Sequence, residues 1–412
     1  MAEVGVTYRG SGTLYTTYSD IEDKAVAQAN LLLGMETYEE QTAHLLPDAH
    51  FCMGLSPVGL ALTFSDVKGF HPSIISADAG CGVSVYRIPN VTEEMLFELS
   101  KNMKDVLDFG KKMYIQEALD ALDCYSLIDN DKEKKMLFER SFCTLGGGNH
   151  FFEIGEHLNE TTGDREHYIV IHSGSRNIGG LLLKRGNDLA EESAKRAYSN
   201  AVSDVVREYS TAEDKSVISD IISSLERPDG TIMQGVVLDI YKEMEIFAQK
   251  YASLNRDAIA KSASIILFGE DKTEKLVDKP HNYVDWDLRV LHKGSMGVSV
   301  GELIAIPLNM RDGTIVGRAS GNVAEWGYNL PHGAGRSKSR GEAVLDISIE
   351  EYKEQTKGII SHTINENTID EAPSAYKDSR SISEVITAKL YDYFVIKPLM
   401  SFKELEPKWK KE

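Results

Sequence analysis

The spacing of apolar and polar positions divides the chain into strand-like and helix-like stretches. Residues 1–45 read as mixed structure closing in a helix-like run, AVAQANLLLGMETYEEQTAHLL. Residues 46–90 interleave short apolar runs with Gly, Pro and Ser, which predicts short strands and tight turns. Residues 92–140 carry a helical, acidic pattern; the strand signal returns over 141–180, where YIVIH reads as a buried strand. A helical block occupies about 180–262, with much of the charge on its polar faces, and strands and turns follow to about 335. SIEEYKEQTKGI then opens with Ser348 and Glu351 at capping-box spacing, so a helix is expected to start there. No linker, repeat or low-complexity tract divides the chain. The pattern predicts one large α+β domain over 1–412, with 180–262 as a helical excursion within it.

Composition narrows the class. With 412 residues, 42% of them hydrophobic, the chain can bury a full core and is neither disordered nor fibrous. Its longest apolar runs, such as ASIILF, fall far short of the ~20 residues that a membrane helix needs. The opening MAEVGVTYRG lacks the charged-then-apolar plan of a secretory leader, and four cysteines are too few for a disulfide framework. A cytoplasmic protein is the expectation. Lys+Arg 45 against Asp+Glu 64 gives a formal charge of −19, which argues against broad nucleic-acid binding. A local basic cleft is still compatible with that total, because charges act over a Debye length of ~8–10 Å.

The chemistry concentrates in Gly-rich islands expected at strand ends: PDAH (47–50), SADAGCGV (76–83), TLGGGNHFFEI (144–154), IHSGSRNIGG (171–180), KPHNYVDW (279–286) and PHGAGRSKSR (331–340). Each alone has a structural explanation. Asp78 and Cys81 suit a turn aspartate beside a small buried thiol, GGGNH a glycine turn with a core histidine, HSGSR a helix cap, and His281 a core or surface imidazole. HGAGR is stronger, since a histidine followed by glycines and by Arg336, Lys338 and Arg340 suits an anionic phosphate. Together the islands hold more. Asp78, Cys81, His150, His172 and His281 form a donor set suited to Mn²⁺, Fe²⁺, Zn²⁺ or Co²⁺, with more donors than one tetrahedral ion needs.

In this order the islands resemble those of the RtcB family of RNA-splicing ligases. The resemblance extends to EMEIFAQKYASLNRDAI (243–259), HNYV, HKG (292–294), IPLNM (306–310) and DEAPSAYKD (370–378), and so covers most of the chain. It implies mixed sheets around a deep metal-containing cleft. It implies two Mn²⁺, one on Asp78, Cys81 and His150, the other on Cys81, His172 and His281. His332 would be the nucleophile that takes GMP from GTP, with Asp48 orienting its ring. Asn149, Glu153, Asn282, the turn Pro307, Leu308, Asn309 and Met310, then Thr314, then Gly333, Ala334 and Gly335, and finally Lys403 would hold the guanylate. The implied reaction joins an RNA 3′-phosphate or 2′,3′-cyclic phosphate to a 5′-hydroxyl, in cleaved tRNA or another structured RNA. Arg176, Arg336, Lys338 and Arg340 are candidates for a positive RNA groove, their alternative being loop charges paired with the acidic surface. The family also implies a monomer, with archease as a candidate activator.

Three features depart from the family pattern. The turn after PDAH reads HFCMGLSPVG, with Cys52 where a glycine is usual. The segment after Pro307 reads LNMRDGT, so the expected serine falls on Thr314. The −19 charge and acidic helical block bear on which RNA is taken. Two other functions suit the same residues: a binuclear metallohydrolase that opens cyclic phosphates, and a nucleotide- or RNA-binding sensor without catalysis.

Overall fold

The structure is a computed structural model that describes residues 5–9, 12–121, 132–160, 162–210 and 216–404. The stretches 122–131 and 211–215, within the expected helical segments, lie outside the described residues. A six-stranded sheet holds β1 (Gly5–Arg9), β2 (Gly12–Thr16), β3 (Thr42–His50) and β4 (Val58–Thr63), continued by β10 (Val290–Lys293) and β9 (Asn282–Asp285). A seven-stranded sheet has the order β12 (Leu303–Asn309), β13 (Gly313–Ala319), β15 (Leu390–Phe402), β6 (Phe151–Leu158), β7 (Arg165–Ser173), β5 (Gly82–Ile88) and β8 (Glu274–Pro280). A two-stranded ribbon pairs β11 (Ser295–Gly297) with β14 (Asn329–Pro331). The helices are α1 (Asp23–Leu33), α2 (Glu93–Lys101), α3 (Met103–Ala121), α4 (Lys132–Ser141), α5 (Asn177–Glu208), α6 (Ser216–Ser224), α7 (Val236–Phe268), α8 (Arg340–Asp346), α9 (Ile349–Gln355) and α10 (Ser379–Thr387).

Strand alternation explains how the large sheet curls. Val83 and Val85, Phe151, Tyr168 and Val170, Val277, Ala305, Val316 and Ile396 come from all seven strands and meet in one buried cluster. Seven strands can share one interior only if the sheet rolls on itself. Its end strands approach one another, and Lys279 of β8 pairs at 2.6 Å with Glu302, the residue before β12. The alternate residues Tyr86, Phe152, Ile154, Ile169 and Ile171 face outward and pack with Val106, Phe247, Tyr251 and Ile259 of α3 and α7. The structure thus has the α+β fold that the sequence implied; the six-stranded sheet is mixed through the parallel β2–β3 pair, and the seven-stranded sheet is antiparallel throughout.

Three local expectations meet a structural answer. The helix-like run up to residue 46 stops at Leu33, where the Gly34 amide closes on Asn30 and Leu31 carbonyls, and Glu40 turns the chain at φ 64°. TAHLL then becomes β3, buried in the first sheet. Ser348 does cap α9, its hydroxyl accepting from the Glu351 amide, but the reciprocal box forms at Ser339 and Glu342 instead. The block at 180–262 is α5, α6 and α7; α7 runs through the core, begins at Gly235 (φ 54°) and ends in the left-handed Gly269.

Candidate metal and nucleotide site

The strand ends deliver the Gly-rich islands to one cavity of about 310 Å³. Cys81 lies just before β5, His150 just before β6, His172 near the end of β7, and His281 between β8 and β9. The Cys81 Sγ lies 3.2 Å from Nε2 of His150 and 3.2 Å from Nε2 of His172, and Nε2 of His172 lies 3.1 Å from Nε2 of His281. All four side chains are buried. Among the described residues, Cys81, His150 and His172 form a group able to hold a metal ion. Asp78, on the solvent side, lines the same cavity.

Electrostatics keep this cluster neutral. Burial pushes the Cys81 thiol well above its ordinary range, and nearby Asp78 adds to the shift while Arg256 and Arg176 oppose it. Burial, reinforced by Arg176, lowers His150 to about 3; burial and neighbouring histidines hold His172 and His281 well below the usual imidazole value. Nδ1 of His172 lies 3.2 Å from the Asn149 carbonyl, which can only accept, so that nitrogen donates and Nε2 carries the lone pair. A histidine anchored through one nitrogen and presenting the other is the arrangement of a metal ligand.

His332 follows β14 and lies beside this cluster, its ring centroid 4.8 Å from that of His281. Its Nδ1 sits 2.5 Å from Oδ2 of the fully buried Asp48, which also accepts from the His332 amide at 3.1 Å. Oδ2 takes Nδ1 of the ring, which leaves Nε2 as the nitrogen outside the pair.

The same cavity is lined by Asn149, Glu153, Asn282, Pro307, Leu308, Asn309, Met310, Gly333, Ala334, Gly335 and Lys403, which brings nearly all of the expected guanylate residues together. Thr314 is the exception. It stands opposite Pro307 in the β12–β13 ladder, buried outside the cavity lining, with no partner for its hydroxyl among the described residues. Burial raises the Glu153 carboxyl to about 7 against the opposing pull of Lys403 and Ser401, whose hydroxyl donates to it at 3.1 Å. Cys52 lines the cavity too, its Sγ 3.5 Å from the Met53 carbonyl.

The four basic candidates separate. Arg336 and Arg340 line the cavity and both bind Glu371, at 3.2 and 2.6 Å; Lys403 joins them at 3.1 Å. Burial alone would raise Glu371, but these cations, with the Tyr376 hydroxyl, hold its carboxyl far below the usual range. Lys338 faces outward and pairs with Asp346 at 2.6 Å. Arg176 sits behind the cluster, with Nη1 3.4 Å from Nδ1 of His150 and Nε donating to Thr144 Oγ1 at 3.2 Å. The sequence assigned no role to Glu371, Tyr376 or Arg256, although they lie within DEAPSAYKD and EMEIFAQKYASLNRDAI.

A rolled α+β fold whose strand ends gather a thiol, three imidazoles, a histidine–carboxylate pair and a set of clamped cations has the build of an enzyme acting on phosphates. The chain belongs to the RtcB family: the family model described as "tRNA-splicing ligase RtcB" matches residues 115–404. It is similar to the RNA-splicing ligase RtcB of Escherichia coli strain K12, 26% identical over 374 residues that cover 81% of this chain and 83% of that protein. It is also similar to the tRNA-splicing ligase RtcB of Aeropyrum pernix, 26% identical over 89% of this chain and 88% of that protein. Among the described residues, no helix is long and apolar enough to cross a membrane.

Proposed function

We propose that the protein is an RNA ligase that uses GTP and Mn²⁺ to join an RNA 3′-phosphate, or a 2′,3′-cyclic phosphate once opened, to a 5′-hydroxyl, in the repair of cleaved tRNA or another structured RNA. The observation that carries this reading is the Asp48–His332 pair at 2.5 Å, placed against a buried cysteine–histidine cluster in the cavity that Glu153 and Lys403 also line. The donor set fits the metal: one thiol, three imidazoles that are neutral at pH 7, and an aspartate at the cavity wall. Asp78, Cys81 and His150 would hold one Mn²⁺, and Cys81, His172 and His281 the other. When bound, the ions neutralise phosphate charge and align the reacting groups.

The residues then act as follows. Nε2 of His332 attacks the α-phosphorus of GTP; an N–P bond forms, the α–β anhydride bond breaks, and pyrophosphate leaves with the electron pair. Asp48 holds the ring and stabilises the positive charge that develops on it. An oxygen of the RNA 3′-phosphate next takes the GMP, and the N–P electron pair returns to His332. The RNA 5′-hydroxyl attacks the activated 3′-phosphorus, GMP departs, and the hydroxyl proton passes to solvent. Glu153, as a carboxylate, accepts two N–H donors of guanine in parallel. Arg336, Arg340 and Lys403, clamped by Glu371, present positive charge to the phosphates.

Incubation with α-labelled GTP and Mn²⁺, without RNA, tests the reading. An acid-labile, alkali-stable adduct absent from His332→Ala and His332→Asn is the expected result. Absence of adduct in protein that binds Mn²⁺ would replace the ligase by a cyclic phosphodiesterase; absence of both adduct and metal binding would leave a nucleotide- or RNA-binding sensor.

A further inference from the structure

We propose that Lys377 is the positioning residue of the Asp48–His332 pair, tying the backbone on both sides of Asp48 to the loop that carries His332. The inference rests on the reading of His332 as nucleophile. Its starting point is a break in the first sheet. Between the pairs Leu45–Leu60 and His50–Val58, β3 advances five residues while β4 advances two. The segment 46–49 therefore bulges out of the ladder and loses its regular strand partners. Asp48 lies in that bulge, next to Pro47, which has no N–H to anchor it.

The carboxylate does little to hold itself. Among the described residues, Oδ2 of Asp48 is engaged only by His332, through the ring and the backbone amide, and Oδ1 is buried without a partner. Its direction is therefore set by the backbone beneath it. Lys377 supplies that fixture: Nζ donates to the Pro47 carbonyl at 2.9 Å and to the Ala49 carbonyl at 3.1 Å. An ammonium on a long stem can satisfy two carbonyls that face it from either side of one residue, which a single planar donor cannot do as readily. At the same residue the backbone amide donates to the Gly335 carbonyl at 3.0 Å, in the loop His332 begins. Gly335, at φ 75°, lies so close that an added Cβ would fall 2.4 Å from the Asp48 carbonyl oxygen. Lys377 thus grips both partners, and the bulge and the loop are locked face to face. It does not line the cavity, so it acts through Asp48 and not on substrate.

The test uses the full-length protein and three variants, Lys377→Met, Lys377→Ala and Lys377→Arg. Three quantities are read: the single-turnover rate of GMP transfer to His332 and the equilibrium affinity for GTP, both with Mn²⁺, and, in protein loaded with diamagnetic Zn²⁺ instead, the far-downfield NMR resonance of the proton shared by His332 Nδ1 and Asp48. The expected result for Lys377→Met is a transfer rate lower by roughly 10- to 100-fold, with GTP affinity held to within about twofold, as misplacement by about an ångström predicts. The resonance should move or broaden in Lys377→Met, Lys377→Arg should retain more rate than Lys377→Met, and added ethylammonium should restore part of the rate to Lys377→Ala. A wild-type rate with an unmoved resonance in Lys377→Met overturns the proposal. So does a joint loss of rate and GTP affinity that ethylammonium leaves unrepaired while the resonance stays in place. If the wild-type protein forms no adduct at all, the nucleophile reading fails on its own, and the resonance still decides whether Lys377 sets the pair.

Discussion

Nη1 of Arg256 donates to the carbonyl of Ser173 at 2.8 Å and so fixes the residue that follows His172. The same nitrogen reaches the carbonyl of Gly80, the residue before Cys81, at 3.2 Å. One buried guanidinium in α7 therefore braces two loops of the metal cluster at once. Its charge is balanced by Asp278 at 2.6 Å, whose other oxygen and whose Oδ1 also accept from Ser253 and Ser84. Replacing Arg256 by Met leaves two buried carbonyls and a carboxylate without their donor. Loss of one partner from such a pair costs about 3–5 kcal/mol. Thermal unfolding should show that loss in Arg256→Met, and Co²⁺ or Mn²⁺ affinity should fall with it. The double variant Arg256→Met/Asp278→Asn should recover part of the stability but not the metal affinity. Equal recovery of both would mean that Arg256 serves only the fold.

Glu153 predicts a pH dependence with a definite sign. Burial holds its carboxyl at about 7, above the ordinary value of 4.5, so below pH 7 the free protein keeps it protonated. A protonated acid cannot accept two N–H bonds from guanine. GTP affinity should therefore be full above pH 7 and fall by up to about tenfold per unit as pH drops below it. The stability effect in the unliganded protein has the opposite sense: a raised folded-state pKa means that this group's contribution is present below about 4.5 and is lost as pH rises through about 7. Isothermal titration from pH 5.5 to 8.5, on the wild type and Glu153→Gln, measures the slope. A slope that survives in Glu153→Gln would assign the titration to another group.

Glu371 gathers Arg336, Arg340 and Lys403 around one buried carboxylate, and it accepts from the Tyr376 hydroxyl as well. Cations held this way are presented to a ligand without being ordered at the moment of binding. Glu371→Gln keeps the shape and removes the charge. We expect the variant to lose about 3–5 kcal/mol of stability, because Lys403 and Arg336 are left buried without a counter-ion. GTP affinity should drop because the cations lose their ordering, and the drop should be smaller at low ionic strength, where loss of the negative charge favours the anionic nucleotide most. A variant that binds GTP as the wild type does would separate the cation cluster from the nucleotide.

Much of this site was legible in the chain because its donors are rare residue types set among glycines: Cys81, His150, His172, His281 and His332 announce themselves. Their convergence was not legible, since it depends on a rolled seven-stranded sheet and on pairings such as Ser401 with Glu153, 248 residues apart. The buried braces were hidden for a different reason. Arg256 and Glu371 are charged residues in segments that read as helix face and acidic turn, where a solvated charge is the ordinary expectation. Arg176 and Lys338 both sit in islands that hold Gly and Ser, yet one turns inward to His150 and the other outward to Asp346. Local pattern cannot tell these apart, because the deciding partner lies far away in the sequence or across a loop. The helix that ended at Leu33 instead of 46 failed on the same ground: TAHLL was recruited by β2 and β4.

Gly146 offers the sharpest separation of backbone strain from site geometry. It sits at φ 88°, and a Cβ placed there would lie 1.8 Å from Nη1 of Arg176. The guanidinium would have to leave, taking with it the contact to Nδ1 of His150 and the bond to Thr144. Gly235 supplies the control. Its φ is 54°, also positive, but nothing among the described residues lies within 4 Å of an added Cβ. Gly235→Ala should therefore cost only the conformational penalty of its sparsely populated backbone region, about 1–3 kcal/mol. Gly146→Ala should cost that and more, and should alter metal affinity measurably, because Arg176, which has only donors, also decides whether Nδ1 or Nε2 of His150 holds the lone pair. Metal titration and thermal unfolding of the two variants side by side decide the matter. If both lose the same stability and neither changes in metal affinity, Arg176 does not hold His150 for the metal. If only Gly146→Ala changes in metal affinity, the stacking of Arg176 over a bare backbone is what aims that imidazole.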